Sequence, residues 1–278
     1  MSDQAQQLRA RLRRGSCRTI AVTSGKGGVG KSSLAANLAL VLARQGYRVL
    51  LLDGDLGLAN LSIILNLVPR QDLEDVVRGR CRLEDTLLSG PHGLRLIPAA
   101  SGVPSLVEMG PEERGKLVEA LGRLGEGADF LLIDTGAGIF STVTTLIGMA
   151  ERALVVTTHE PTALSDTYSL IKVCRHRARH ARLELLVNMT RSLAQGRETH
   201  LRLARLTERF LAYSLPLAGV IPWDDSVGKA VVLQQPLTEV FPYSPATQTV
   251  VALARTLPVT TEESDGKAPS GSLAVPVS

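Results

Sequence analysis

The stretch RTIAVTSGKGGVGKSSLAANLALVL, Arg18–Leu42, decides the fold. Thr19–Thr23 is a short β-branched, apolar run. Gly25-Lys26-Gly27-Gly28-Val29-Gly30-Lys31-Ser32 fits the pattern G-x-x-x-x-G-K-[ST]. Leu34, Leu38, Val41 and Leu42 then fall on one face and predict a helix over Gly30–Gln45, with Gly46 as its stop. A strand, a glycine-rich turn and a helix in that order are the setting in which this pattern holds phosphate. The glycines let successive backbone N–H groups turn inward around the β-phosphate, and the helix N-terminus adds its positive end. Lys31 would neutralise the β and γ oxygens, and the Ser32 hydroxyl would bind Mg²⁺. Gly25, Lys26, Gly27, Gly28, Val29, Gly30, Lys31, Ser32 and Ser33 are therefore the candidate nucleotide-binding residues of the loop.

Outward from this stretch the pattern repeats. Short apolar runs occur at 48–52, 94–98, 130–133, 153–157, 183–188 and 217–221, and helical spacing at 111–124, 197–212 and 246–257. Aliphatic runs separated by helical segments predict βαβ units. The expected fold is α/β, a three-layer P-loop NTPase with a mostly parallel central sheet and helices on both faces. Aromatic residues are 3% of the chain, so its core must be aliphatic, which suits such a sheet. The expected organisation is an N-terminal arm over 1–16, one domain over 17–258 and a disordered tail over 259–278, rich in Ser, Pro, Gly and charge.

Two of the apolar runs end in carboxylates, where open α/β sheets bind ligands. Phe130-Leu131-Leu132-Ile133 leads into Asp134, the arrangement that supports Mg²⁺ through water, and Leu50-Leu51-Leu52 leads into Asp53-Gly54-Asp55. Ser32, Asp55 and Asp134 are the candidate metal residues. A loop acid or helix cap explains either site alone; both beside a phosphate loop favour a nucleotide site.

Composition narrows the class. The net charge of +4 permits an acidic partner and demands none. Arginines crowd at 9–18 and at 175–182, where a solvated face is the plain reading. Cys17, Cys81 and Cys174 have neither metal nor disulfide spacing, which predicts a reducing, cytoplasmic compartment. No apolar run reaches the ~20 residues of a membrane span, and the charged N-terminus has no signal-peptide core.

Lys26 departs from an ordinary phosphate loop. Lys26-Gly27-Gly28-Val29-Gly30-Lys31-Ser32 resembles the deviant motif of the MinD/ParA ATPases, a resemblance that extends over residues 18–257. In that family the extra lysine crosses a dimer interface to the phosphates of the partner's ATP. The resemblance implies an ATP-dependent homodimer with ATP and Mg²⁺ as cofactors and slow hydrolysis. It makes Lys26, Lys31, Asp55 and Asp134 the candidate catalytic residues, with Asp55 as the water-positioning aspartate. It also places Asn188 at the adenine, with a simple turn residue as the alternative, and Pro222 and Asp224 in the loop closing over the base.

Within the family, Asp3-Gln4-Ala5-Gln6-Gln7-Leu8-Arg9 resembles the D-Q-A-x-x-L-R activator motif of the FlhG (FleN) branch, the regulators of flagellar number. There the motif docks on FlhF, an SRP-type GTPase, and stimulates its GTP hydrolysis. Asp3, Gln4, Ala5, Leu8 and Arg9 are the candidate partner-binding residues. Flagellar switch proteins or a flagellar transcription regulator are further expected partners, with enrichment at a cell pole or flagellar base. The tail lacks the amphipathic helix through which the family usually holds membrane, so membrane contact is doubtful and is expected to be weak or absent, with a contact through the helix over 246–257 as the alternative. DNA is not an expected partner, although the arginine clusters keep a ParA-like DNA- or cargo-positioning reading open. A MinD-like division-site regulator is the other alternative.

Overall fold

The computed structural model describes residues 17–55, 60–99 and 111–257. The arm over 1–16, with its candidate residues Asp3, Gln4, Ala5, Leu8 and Arg9, and the tail over 259–278 lie outside the described residues. So do residues 56–59, just after Asp55.

In chain order the elements are β1 (Arg18–Ser24), α1 (Lys31–Arg44), β2 (Val49–Gly54), α2 (Leu61–Ile64), α3 (Leu73–Val77), β3 (Leu88–Ser89), β4 (Arg95–Ile97), α4 (Pro111–Gly125) and β5 (Phe130–Ala137). There follow α5 (Ser141–Met149), β6 (Arg152–Thr157), α6 (Pro161–Arg177), β7 (Arg182–Thr190), α7 (Leu193–Leu211), β8 (Leu217–Pro222), α8 (Asp225–Val232), α9 (Leu237–Val240) and α10 (Pro245–Arg255). Among the described residues the strands form one eight-stranded sheet in the order β3-β4-β2-β5-β1-β6-β7-β8, parallel except for the short edge strand β3.

Alternation within each strand feeds two cores, since successive side chains leave a strand on opposite faces. Ile20, Val22, Leu51, Leu132, Leu154 and Leu186 point to one layer, which holds α1 and α10. Ala21, Val155 and Leu185 point to the other, with α5 and α6, and Leu50, Leu131 and Ile133 join α4 there. Both faces are covered, so the strands read as continuous aliphatic runs. Helix α1 is apolar nearly all round, from Leu34 to Ala43, and is buried at every one of those positions. It fills the space between the sheet and α10, whose Val250 and Leu253, like Leu257 just beyond it, are buried as core.

The structure corrects several expected boundaries. β5 does not stop before Asp134; it runs on through Ala137 because Asp134, Thr135 and Ala137 pair with Val22, Gly54 and Ser24 on its two neighbours. Asn188 stands inside β7, which extends to Thr190 by pairing with Pro222 across an irregular register at Met189. α7 starts four residues early, at Leu193, because the Ser192 side chain accepts a hydrogen bond from Gln195 N and caps it. Helices α5, α6 and α8 add to those expected.

Candidate functional site

β1 lies at the centre of the sheet with β5 on one side and β6 on the other, and the chain leaves it toward β2 through the glycine-rich loop. Crevices of open α/β sheets form at such a reversal, outside the C-terminal ends of the strands. Gly25 is obligatory there: a Cβ on it would lie inside the α6 backbone at Asp166 and Thr167. Gly30, the residue before α1, has φ +86°, a left-handed conformation that favours glycine. A Cβ on Gly30 would sit 2.5 Å from the Asn188 amide nitrogen.

Asn188 latches the loop from the side. Its Nδ2 donates to Val29 O at 2.8 Å, and its Oδ1 accepts from Met189 N at 2.9 Å. Met189 has φ +56°, uncommon for a non-glycine residue and frequent at functional sites. Asn188 and Met189 line a cavity of about 290 Å³ with Gly30, Asn37, Pro222 and Trp223. Asp224 stands at its rim, holds the start of α8 through Ser226 N at 2.9 Å, and ties it to α10 through Ala246 N at 3.1 Å. Gly30 and Ser33 of the loop, Asn188, Pro222 and Asp224 thus line one cavity, beside the rest of the phosphate loop.

The charged residues converge at the same strand ends. Lys31 is 7% exposed, and its Nζ lies 3.0 Å from Asp134 Oδ1, 3.2 Å from Ser32 Oγ and 3.6 Å from Asp55 Oδ2. Burial pushes the Asp134 carboxyl up, and Lys31 and Ser32 pull it partly back. A buried cation and carboxylate need each other, since either alone in low dielectric is costly. The other oxygen, Asp134 Oδ2, is buried and makes no hydrogen bond to the protein among the described residues.

Asp53 stands beside this group and was missed as a site residue. Its two oxygens accept from Asp55 N at 3.2 Å and Leu61 N at 3.3 Å, so it grips both ends of the segment containing residues 56–59. Burial, followed by the charge of Asp134, pushes its carboxyl up to about 8. The signal was present as a carboxylate inside an apolar run, two residues before Asp55.

Lys26 points elsewhere. Its Nζ donates to Glu160 Oε2 and to Thr162 Oγ1, both at 2.9 Å, at the start of α6. It is not among the groups around Lys31.

The set fits Mg²⁺ with a nucleoside triphosphate: hard oxygen donors on Ser32, Asp55 and Asp134, an orphaned buried carboxylate oxygen, and backbone held by glycines in a phosphate cradle.

A phosphate cradle on a mostly parallel, two-faced sheet, followed by a buried lysine–carboxylate cluster, defines a P-loop nucleotide-binding protein. Residues 20–237 match the CobQ/CobB/MinD/ParA nucleotide binding domain, and the chain belongs to that family. It is 45% identical over 236 residues to the antiactivator FleN of Pseudomonas aeruginosa, covering 85% of this chain and 84% of that protein. It is 36% identical over 200 residues to the flagellum site-determining protein YlxH of Helicobacter pylori, covering 72% and 67% respectively. Its fold is similar to the septum site-determining protein MinD of Pyrococcus horikoshii, a structure in complex with Mg-ADP. There the TM-score is 0.72 and the identity 28%, over 86% of this chain and 95% of that one.

Proposed function

We propose that this chain is an ATP-driven, dimerising regulator of flagellar number and placement that stimulates an FlhF-type GTPase through its N-terminal arm. The observation that carries the flagellar reading is the likeness to FleN across 236 residues, joined to a phosphate loop that contains Lys26.

ATP would seat its phosphates on Gly25–Ser33 and its base in the cavity bounded by Asn188, Pro222 and Trp223. Lys31 exchanges its contact with Asp134 for the phosphate oxygens, so the buried cation is balanced before and after binding. Ser32, Asp55 and Asp134 would hold Mg²⁺, which supplies charge neutralisation at the β and γ oxygens. Asp55, fixed by its own N–H on Asp53, orients the attacking water. Water forms a bond to the γ-phosphorus, the bond to the β–γ bridging oxygen breaks, and ADP and phosphate leave. Lys26 of each protomer reaches the partner's phosphates and so links dimerisation to the nucleotide. Turnover is slow, because the output is an assembly state.

One further observation supports an acidic partner. Between Lys172 and Arg209 there are ten Lys and Arg against three Asp and Glu, a surplus of seven in a chain whose whole surplus is four. Helices α6 and α7 pack together and carry most of these residues. Such a surplus suits an acidic partner, a flagellar switch protein or a transcription regulator among them, and it is also what a ParA-like DNA-positioning ATPase would use.

The test is GTP hydrolysis by purified FlhF from the same cell, with a peptide of residues 1–18 and with one carrying Gln4→Ala, Leu8→Ala and Arg9→Ala. Stimulation by the first and not the second is expected. No stimulation by either overturns the FlhF assignment and moves the reading toward a ParA-like or MinD-like regulator.

A further inference from the structure

Lys26 has its own holding site in the single chain. Glu160, the residue that caps α6, and Thr162 in its first turn both place an oxygen 2.9 Å from Lys26 Nζ. The contact is prepared on both sides. Ser24 Oγ donates to Lys26 O at 2.9 Å, which fixes the backbone at the lysine. Gly25 lies against the α6 backbone so closely that no Cβ fits between them. Thr167, one turn further along α6, donates to Thr157 Oγ1 at 2.9 Å and pins the helix to the end of β6. Two rigid elements therefore meet at this point, and the lysine spans the seam. The Lys26 ammonium also holds the Glu160 carboxyl below the usual glutamate range.

We infer that Glu160 and Thr162 are positioning residues that hold Lys26 within its own protomer and set the threshold for dimerisation. The inference rests on the reading of Lys26 as a lysine that acts in trans, and it adds the competitor that this action must displace. A lysine has one ammonium, and one that donates to both Glu160 and Thr162 has most of its hydrogen-bonding capacity committed. Reaching a triphosphate on another protomer requires it to leave them. ATP supplies the greater negative charge and draws the lysine across; ADP supplies less. The holding pair weakens dimerisation by the same factor with either nucleotide, so the weaker ADP dimer falls below a measurable level while the ATP dimer stays above it.

The magnitude follows from exposure and symmetry. The Lys26 and Glu160 side chains are 38% and 56% exposed, so the pair is screened and holds each lysine by roughly a twofold to fivefold bias. A face-to-face dimer opens two such contacts. The effect on the dimer dissociation constant is the square of the single bias, on the order of tenfold.

The test is sedimentation of the full chain, in ATP with Mg²⁺ and separately in ADP with Mg²⁺, for the unaltered protein and for Glu160→Gln, Thr162→Val and Lys26→Ala. Both α6 variants are expected to dimerise about fivefold to tenfold more tightly, with a measurable dimer in ADP, and with the salt dependence of Glu160→Gln altered from that of the unaltered chain. Their binding of ADP to the monomer stays the same. If Lys26→Ala dimerises with ATP as the unaltered chain does, the trans-acting lysine is refuted, and this inference with it. If Lys26→Ala fails to dimerise while Glu160→Gln and Thr162→Val dimerise no more tightly, or less, the trans reading stands and the holding site is overturned.

Discussion

Replacing Gly30 by alanine puts one methyl group where the phosphate loop meets the cavity lined by Asn188 and Trp223. Two costs can be worked out separately. The backbone at Gly30 has φ +86° and ψ 16°, and a residue with a Cβ in the left-handed region loses about 1–2 kcal/mol. The new Cβ also falls 2.5 Å from Asn188 Nδ2, so that amide must swing away and give up its bond to Val29 O. Losing such a bond costs about 0.5–1.5 kcal/mol. The sum is about 1.5–3.5 kcal/mol, which for a domain of this size lowers the midpoint of thermal unfolding by roughly 3–14 °C. Nucleotide affinity falls as well, because Asn188 lines the cavity. Trp223, the single tryptophan of the chain, stands in the same wall, so its emission in a nucleotide titration reports binding directly. The decisive assay is a double-mutant cycle. Asn188→Ala alone loses the latch, but in a chain already carrying Gly30→Ala it also removes the obstruction, so the pair should cost about 1 kcal/mol less than the two singles added. Strict additivity in both unfolding and Trp223 titration would refute the claim that this glycine is required by Asn188.

Asp134→Asn leaves Lys31 buried with only the more distant Asp55 as counter-charge, so urea unfolding of the nucleotide-free protein should show a loss of about 2–4 kcal/mol. An unchanged midpoint would mean that the pair carries no weight. The Cys17 and Cys174 thiols are both pushed up to about 12 by burial, against about 9 in an unfolded chain. The unfolded state thus releases these protons first: stability is intact below pH 9 and falls as the pH rises toward 12, by about 1.4 kcal/mol per unit for each thiol. A chain with Cys17→Ala and Cys174→Ala should lose that much less per unit over the same range, and identical alkaline slopes would count against buried, protonated thiols.

The phosphate loop was legible because its demands are local: glycine where backbone must turn or approach, lysine and serine where charge must be met. The layers were legible from aliphatic runs buried on both faces. The end of β5 was not, since Asp134 and Gly136 are poor strand formers and the strand is carried past them by the pairing of Asp134, Thr135 and Ala137 with β1 and β2. Helix α6 left a fainter trace, Ala163, Thr167, Leu170, Ile171 and Cys174 at helical spacing, in which small side chains stand for bulky ones. Lys26 and Glu160 are 134 residues apart, and they meet because β6 lies next to β1 in the sheet, an adjacency that no local pattern encodes. Asn188 was expected at the adenine from resemblance; its grip on Val29 comes from the fold.

Arg18 opens β1, and its guanidinium donates to Leu257 O at 3.2 Å, so the two ends of the described domain leave from one corner. The seven residues of β1 separate that corner from the phosphate loop by roughly 23 Å. Whatever is joined ahead of Cys17 or after Leu257 is therefore carried at the foot of the sheet, with nucleotide bound at its head. If two protomers meet head to head, the corners from which Arg18 and Leu257 emerge point apart. The layout is that of a rod with two distinct ends: the phosphate loop lies at one, and the chain enters and leaves the described domain at the other.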